Sequence, residues 1–122
     1  MILTLAVGLG ASFGAVLRYL VDQYVSRWRA TEFPAGTWVI NMTGAFVLGL
    51  LTGLAAHHGL SPDVVAVAGT GVCGGYTTFS TFSFETMRLL EDGAGVAGVA
   101  NMVGSIALGL LAAAAGLGVG LL

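Results

Sequence analysis

Seven consecutive residues, Thr77-Thr78-Phe79-Ser80-Thr81-Phe82-Ser83, combine five hydroxyls with two aromatic rings inside otherwise apolar sequence. Phe79 and Phe82 stand three apart and therefore share one face of a helix. Ring edges carry partial positive charge, so such a pair can turn toward an anion, although aromatic residues at this spacing also simply pack. Thr37 and Asn41, four apart with Gly44 close by, draw a polar stripe along a second apolar segment, and Asn101 and Ser105 repeat that spacing near the end of the chain. Polar side chains at such depth either bond a neighbouring helix or mark a site.

The charged groups are few enough to take singly. Arg18 reads either as an anchor, its long stem reaching toward the interface, or as an attractor of anions. Asp22 lies one turn further on the same face and is placed to pair with it, as Glu85 is with Arg88. Cys73 stands alone in an apolar stretch, so it offers neither a disulfide framework nor a metal-ligand cluster and reads as a buried thiol. His57 and His58 are adjacent in a loop, facing solvent or, alternatively, sensing pH. The chain has no Lys and a net charge of −2, which leaves no basic stripe of the kind nucleic acid requires.

These groups must be positioned by helices in a membrane. The chain has 122 residues, 57% hydrophobic and 8% charged, whereas a soluble domain carries roughly a quarter charged residues. That is too little polar surface to cover a globule in water. A spanning helix needs about 20 apolar residues, so the expected fold is an all-α membrane protein. Its single transmembrane domain covers residues 1–122, with four spans near 2–24, 33–56, 63–90 and 94–122 and nothing left over for an extramembrane domain. No basic residue precedes Arg18, so the first segment reads as a retained span and not as a signal peptide. Ser61-Pro62-Asp63 has the character of a helix start.

Glycines at a spacing of four (Gly10 and Gly14, Gly49 and Gly53, Gly116 and Gly120) predict seams where helix backbones approach closely. The third span is different. Gly71, Gly74 and Gly75 precede Tyr76-Thr77-Thr78 near its middle, which predicts a break in the helix. Unwound backbone at membrane depth is tolerated where it is buried in protein or lines a wet cavity, and its freed carbonyls commonly bind a cation.

With these pieces in place, the sequence closely resembles the small bacterial fluoride channels of the Fluc, or CrcB-type, family. Gly10, Gly14, Arg18 and Tyr19 carry the resemblance first, then Gly36-Thr37, Asn41, Gly44 and Phe46, then Gly71, Gly74 and the run from Thr77 to Phe82. The resemblance implies an antiparallel homodimer in the cell inner (plasma) membrane, with two fluoride pathways and a structural sodium ion at the dimer centre. By it Asn41 contacts fluoride, and Phe79 and Phe82 supply ring edges along each pathway. Ser80 and Thr81 match hydroxyls of a polar track, to which Thr37, Asn101 and Ser105 add their groups, and Asn101 stands where relatives often carry Tyr. Gly74 and Thr77 lend backbone carbonyls to sodium, and Arg18 matches a structurally important arginine.

The implied activity is passive export of fluoride, with no nucleophile, general base or ATP site required. Donors replace water around a small hard anion contact by contact, and the ring edges attract it weakly enough for it to leave. Arg27, Arg29 and Arg88 gather on one side of a four-span chain, which favours one orientation. Pairing with a homologue of opposite orientation therefore stands beside the homodimer. A small multidrug-type exporter would need a carboxylate well inside the first span, and Asp22 lies near its end. For a non-transporting helper subunit, the broken span and its polar residues would be needless.

Overall fold

The computed structural model describes every residue except Ala30 and Glu32. Helix α1 (Ile2–Trp28) continues past Tyr24, whose ring lies 6.3 Å from that of Trp28. Helix α2 (Ala35–His58) starts immediately after Pro34 and ends at Gly59, whose positive φ of 67° is the left-handed stop that glycine adopts without steric penalty.

The next segment is helical in pieces. Helix α3 (Pro62–Val65) starts as the sequence predicts: the Val64 amide donates to Ser61 Oγ at 3.3 Å, and Pro62 occupies the first turn. It widens into a π-helical stretch (Ala66–Cys73) and closes with the short α4 (Gly74–Tyr76). The chain then straightens at Thr77 (φ −77°, ψ 159°) and Thr78 (φ −147°, ψ 123°) before α5 (Phe79–Glu91). The expected break is therefore made by two threonines, and the glycines before it remain helical. A turn with Gly93 at φ 80° leads into α6 (Gly95–Gly120).

Among the described residues there is no strand, and α1, α2 and α6 are long and apolar enough to cross a membrane. Residues 62–91 form helices in series on either side of the break. The packing is inside out relative to a soluble domain: the buried apolar side chains are Ile40, Cys73 and Leu89, while Phe13, Leu20, Leu110 and Leu111 are exposed. Apolar side chains turned outward suit a lipid solvent.

Glycine makes the close contacts. On the α2–α6 seam, a Cβ at Gly49 would collide with the Ala113 carbonyl and one at Gly116 with the Phe46 carbonyl, and Gly53 and Gly120 lie against each other. On α1, a Cβ at Gly14 would strike the Val72 carbonyl, and one at Gly75 would strike that of Ala11. The three predicted seams thus reduce to two interfaces, α2 against α6 and α1 against the π-helical stretch with α4.

Candidate functional site

The break is held open by one side chain. Asn41 Nδ2 donates to the Thr78 carbonyl at 3.0 Å, and the Thr78 amide donates to Asn41 Oδ1 at 2.9 Å. An amide side chain paired this way offers the peptide the same donor and acceptor that a neighbouring strand would. Because the Thr78 amide is committed to Asn41, it does not close a helical bond onto the Gly74 carbonyl. Gly44, one turn along α2, makes room: a Cβ there would overlap the Thr77 methyl.

Further contacts fix both threonines. Thr77 Oγ1 donates back to the Cys73 carbonyl at 2.9 Å, and Arg18 Nη1 donates to the Thr77 carbonyl at 3.3 Å. Thr78 Oγ1 caps α5 by accepting from the Thr81 amide at 3.2 Å, and it donates to Thr81 Oγ1 at 3.0 Å. Ser80 Oγ lies 3.4 Å from the same hydroxyl. The hydroxyls after the break thus form a local network at the N-terminus of α5, where backbone amides point outward and favour negative charge.

A cavity of about 590 Å³ opens beside the break and gathers Asn41, Gly74, Thr77, Phe79, Phe82 and Ser105. The rings of Phe79 and Phe82 lie 5.8 Å apart at 50°, and Phe79 is 78% exposed. The remaining predicted site residues lie elsewhere. Ser80 and Thr81 are exposed on the first turn of α5. Thr37 is buried and donates to Glu85 Oε1 at 3.0 Å; Glu85 Oε2 is buried with no hydrogen-bond partner among the described residues. Asn101 is 0% exposed and bonded to Trp38 and Thr86.

A second cavity, about 370 Å³, is a polar mouth lined in part by Asp22, Arg29, Glu85, Arg88 and Asp92. The ion pairs expected from spacing are replaced by other contacts. Arg18 reaches the Thr77 carbonyl, Asp22 packs against Gly36, and Arg88 lies 3.9 Å from exposed Asp92. Helical spacing put each acid beside a base, but the break carries a carbonyl to Arg18 and α2 carries a hydroxyl to Glu85. His57 and His58 stack edge to face at 4.8 Å on the exposed end of α2. Sequence reasoning missed Thr78 as the partner of Asn41, although a threonine before a helical run is a capping signal. Nothing in the sequence signalled the contact between Trp38 and Asn101.

The profile of the CrcB-like protein, Camphor Resistance (CrcB), family matches residues 5–117. The chain belongs to this family. Among CrcB relatives, "Fluoride-specific ion channel FluC 1" of Streptomyces avermitilis is 52% identical over 107 residues, covering 88% of this chain and 86% of the relative. "Fluoride-specific ion channel FluC 2" of Mycobacterium tuberculosis is 49% identical over 118 residues, 93% and 90% of the two chains. "Fluoride-specific ion channel FluC" of Rhizobium meliloti is 45% identical over 114 residues, 93% and 91%.

Proposed function

We propose that this CrcB-family chain is a multi-pass cell-membrane protein and forms a dimeric channel through which fluoride leaves the cell down its gradient. The observation that carries the reading is the Asn41–Thr78 pairing, which keeps the helix broken beside the cavity that Phe79 and Phe82 share. Four crossings, with residues 62–91 supplying the third, would put this break near mid-membrane.

Fluoride is small and strongly hydrated, so entry into a low-dielectric passage demands replacement donors. Asn41 Nδ2 has a second N–H beyond the one given to Thr78, and that hydrogen is the donor for the ion. Ser80, Thr81 and Ser105 add hydroxyls along the path, and Thr37 stands beyond them beside Glu85. The edges of Phe79 and Phe82 attract an anion without the grip of a full charge. No bond is made or broken, so no catalytic group is needed. Asn101 is fully buried between Trp38 and Thr86, and its part in conduction is indirect.

The residues present fit a structural sodium ion. Hard cations take oxygen donors, and carbonyls at the end of a broken helix are such donors. The Gly74 carbonyl is released by the bond between Thr78 and Asn41, and the Thr77 carbonyl has a second lone pair beyond the one facing Arg18. Gly74 and Thr77 of each subunit would hold the ion, which would supply a fixed positive charge beside the anion path. In sodium-free buffer, flux should fall and return when sodium is restored.

A second assembly reading has its own observation. Arg29 and Arg88 line the same mouth, and Arg27 lies in the last turn of α1, so the positive residues share one end. That bias favours one orientation and supports pairing with an oppositely inserted homologue over an antiparallel homodimer. Liposomes containing only this purified protein test both readings. Rapid release of fluoride with retention of chloride is the expected result for a homodimer. Retention of fluoride by this protein alone and release after adding a second homologue would establish the heterodimer, and retention in both cases would end the channel reading.

A further inference from the structure

A one-way chain of hydrogen bonds runs through the interior and ends at Phe82 in the cavity wall. Trp38 Nε1 donates to Asn101 Oδ1 at 2.6 Å, Asn101 Nδ2 donates to Thr86 Oγ1 at 2.7 Å, and Thr86 Oγ1 donates to the Phe82 carbonyl at 2.8 Å. Indole is a donor only, so it fixes which end of the Asn101 amide faces it. The other end must then donate to Thr86, whose own hydrogen is left for Phe82. Asn101 and Thr86 are both buried, so water does not compete.

The indole has a prepared bed. A Cβ at Gly104 would come within 2.7 Å of Trp38 Cη2, and the Phe33 ring packs on Trp38 at 5.4 Å between centroids. Trp38 and Asn41 are three apart on α2 and share a face. From α2, α5 and its cap are held at three points: Asn41 grips Thr78, Thr37 donates to Glu85, and Trp38 reaches Thr86 through Asn101. Phe82 lies between these points.

We propose that Trp38, Asn101 and Thr86 are positioning residues for ion conduction, acting as one unit that sets the rotation of α5 and so aims the Phe82 ring into the cavity. The inference rests on the fluoride-channel reading. It assigns a task to Asn101 and Trp38 away from the ion path.

The test compares Trp38→Phe, which keeps a ring without the donor, Thr86→Val, which keeps shape without the hydroxyl, and Thr86→Ser, which restores it. Fluoride release from liposomes is measured per folded protein. Each of the first two should lose about tenfold in rate, the scale of one buried hydrogen bond. The double variant should be no slower than the worse single one, because members of a unit are not additive. Thr86→Ser should recover to within about twofold of the parent, a smaller loss than one such bond.

Parent-like rates in Trp38→Phe and Thr86→Val, multiplied losses in the double variant, or failure of serine to rescue would each overturn the unit. A readout independent of flux uses Trp28→Phe, which leaves Trp38 as the sole indole. Its emission should move with Thr86→Val and stay with Thr86→Ser, and an unmoved spectrum with valine would also overturn the proposal. Retention of fluoride by the parent both alone and with a second homologue would instead end the channel reading, while the emission result would still report whether the bonded chain exists.

Discussion

The side-chain amide of Asn41 and the backbone peptide of Thr78 close a ring of two hydrogen bonds, 3.0 and 2.9 Å long, across the break before α5. Asn41→Ala should therefore unpair a partly buried N–H and a carbonyl together, at a cost of about 2–4 kcal/mol. Asn41→Asp keeps the acceptor for the Thr78 amide but sets a carboxylate oxygen against the Thr78 carbonyl. Fluoride release should fall at least about tenfold in both, with aspartate the more damaging, since a shift of ~1.4 kcal/mol already gives tenfold. Efflux recorded with a fluoride electrode, beside thermal unfolding of the same samples, checks the order.

Gly44→Ala tests the space beside the break. The added methyl overlaps that of Thr77, and overpacking of this kind costs about 1–3 kcal/mol. Thr77 should be displaced and flux reduced, while Gly118→Ala, where a Cβ meets nothing within 4 Å, should leave flux and unfolding temperature unchanged.

Phe79 and Phe82 should differ in how they respond. Phe82 is half-buried in the cavity wall, while Phe79 is mostly exposed on the single chain. Replacing either with Leu removes the positive ring edge, worth ~1 kcal/mol or roughly fivefold in rate. Loss of unfolding temperature should accompany Phe82→Leu alone. Paired flux and melting measurements decide it; equal destabilisation by both would mean that a partner buries Phe79 as deeply as its own chain buries Phe82.

The α2–α6 seam should be the least tolerant part of the molecule. A side chain at Gly116 has no room against the Phe46 carbonyl, which is backbone and cannot step aside. Gly116→Val should prevent recovery of folded protein from detergent, whereas Gly95→Val, in open space, should purify like the parent. Yield and elution profile are the measurements.

Much of this is legible in the sequence. Low charge and long apolar runs placed the chain in a membrane, Ser61-Pro62 marked a helix start, and the glycine-threonine run marked the break. Spacing could not say which surfaces meet. Three glycine pairs pointed to seams, but only the fold sets Gly49 and Gly53 against Gly116 and Gly120. Neighbour rules within one helix paired Arg18 with Asp22 and Glu85 with Arg88, yet partners 59 and 48 residues away claimed Arg18 and Glu85. From sequence Asn101 reads as one more pathway donor, because nothing in its neighbourhood of sequence reveals an indole 63 residues earlier.

The π-helical stretch has a consequence of its own. In a wider coil each hydrogen bond spans one more residue than in an α-helix, and each residue of an α-helix advances the chain by about 100°. Where Thr77 points is thus encoded partly as a count of residues between Ala66 and Cys73, independent of what those residues are. A chain shortened by one there, with every polar group intact, would arrive at the threonines out of phase and present them to the wrong neighbours.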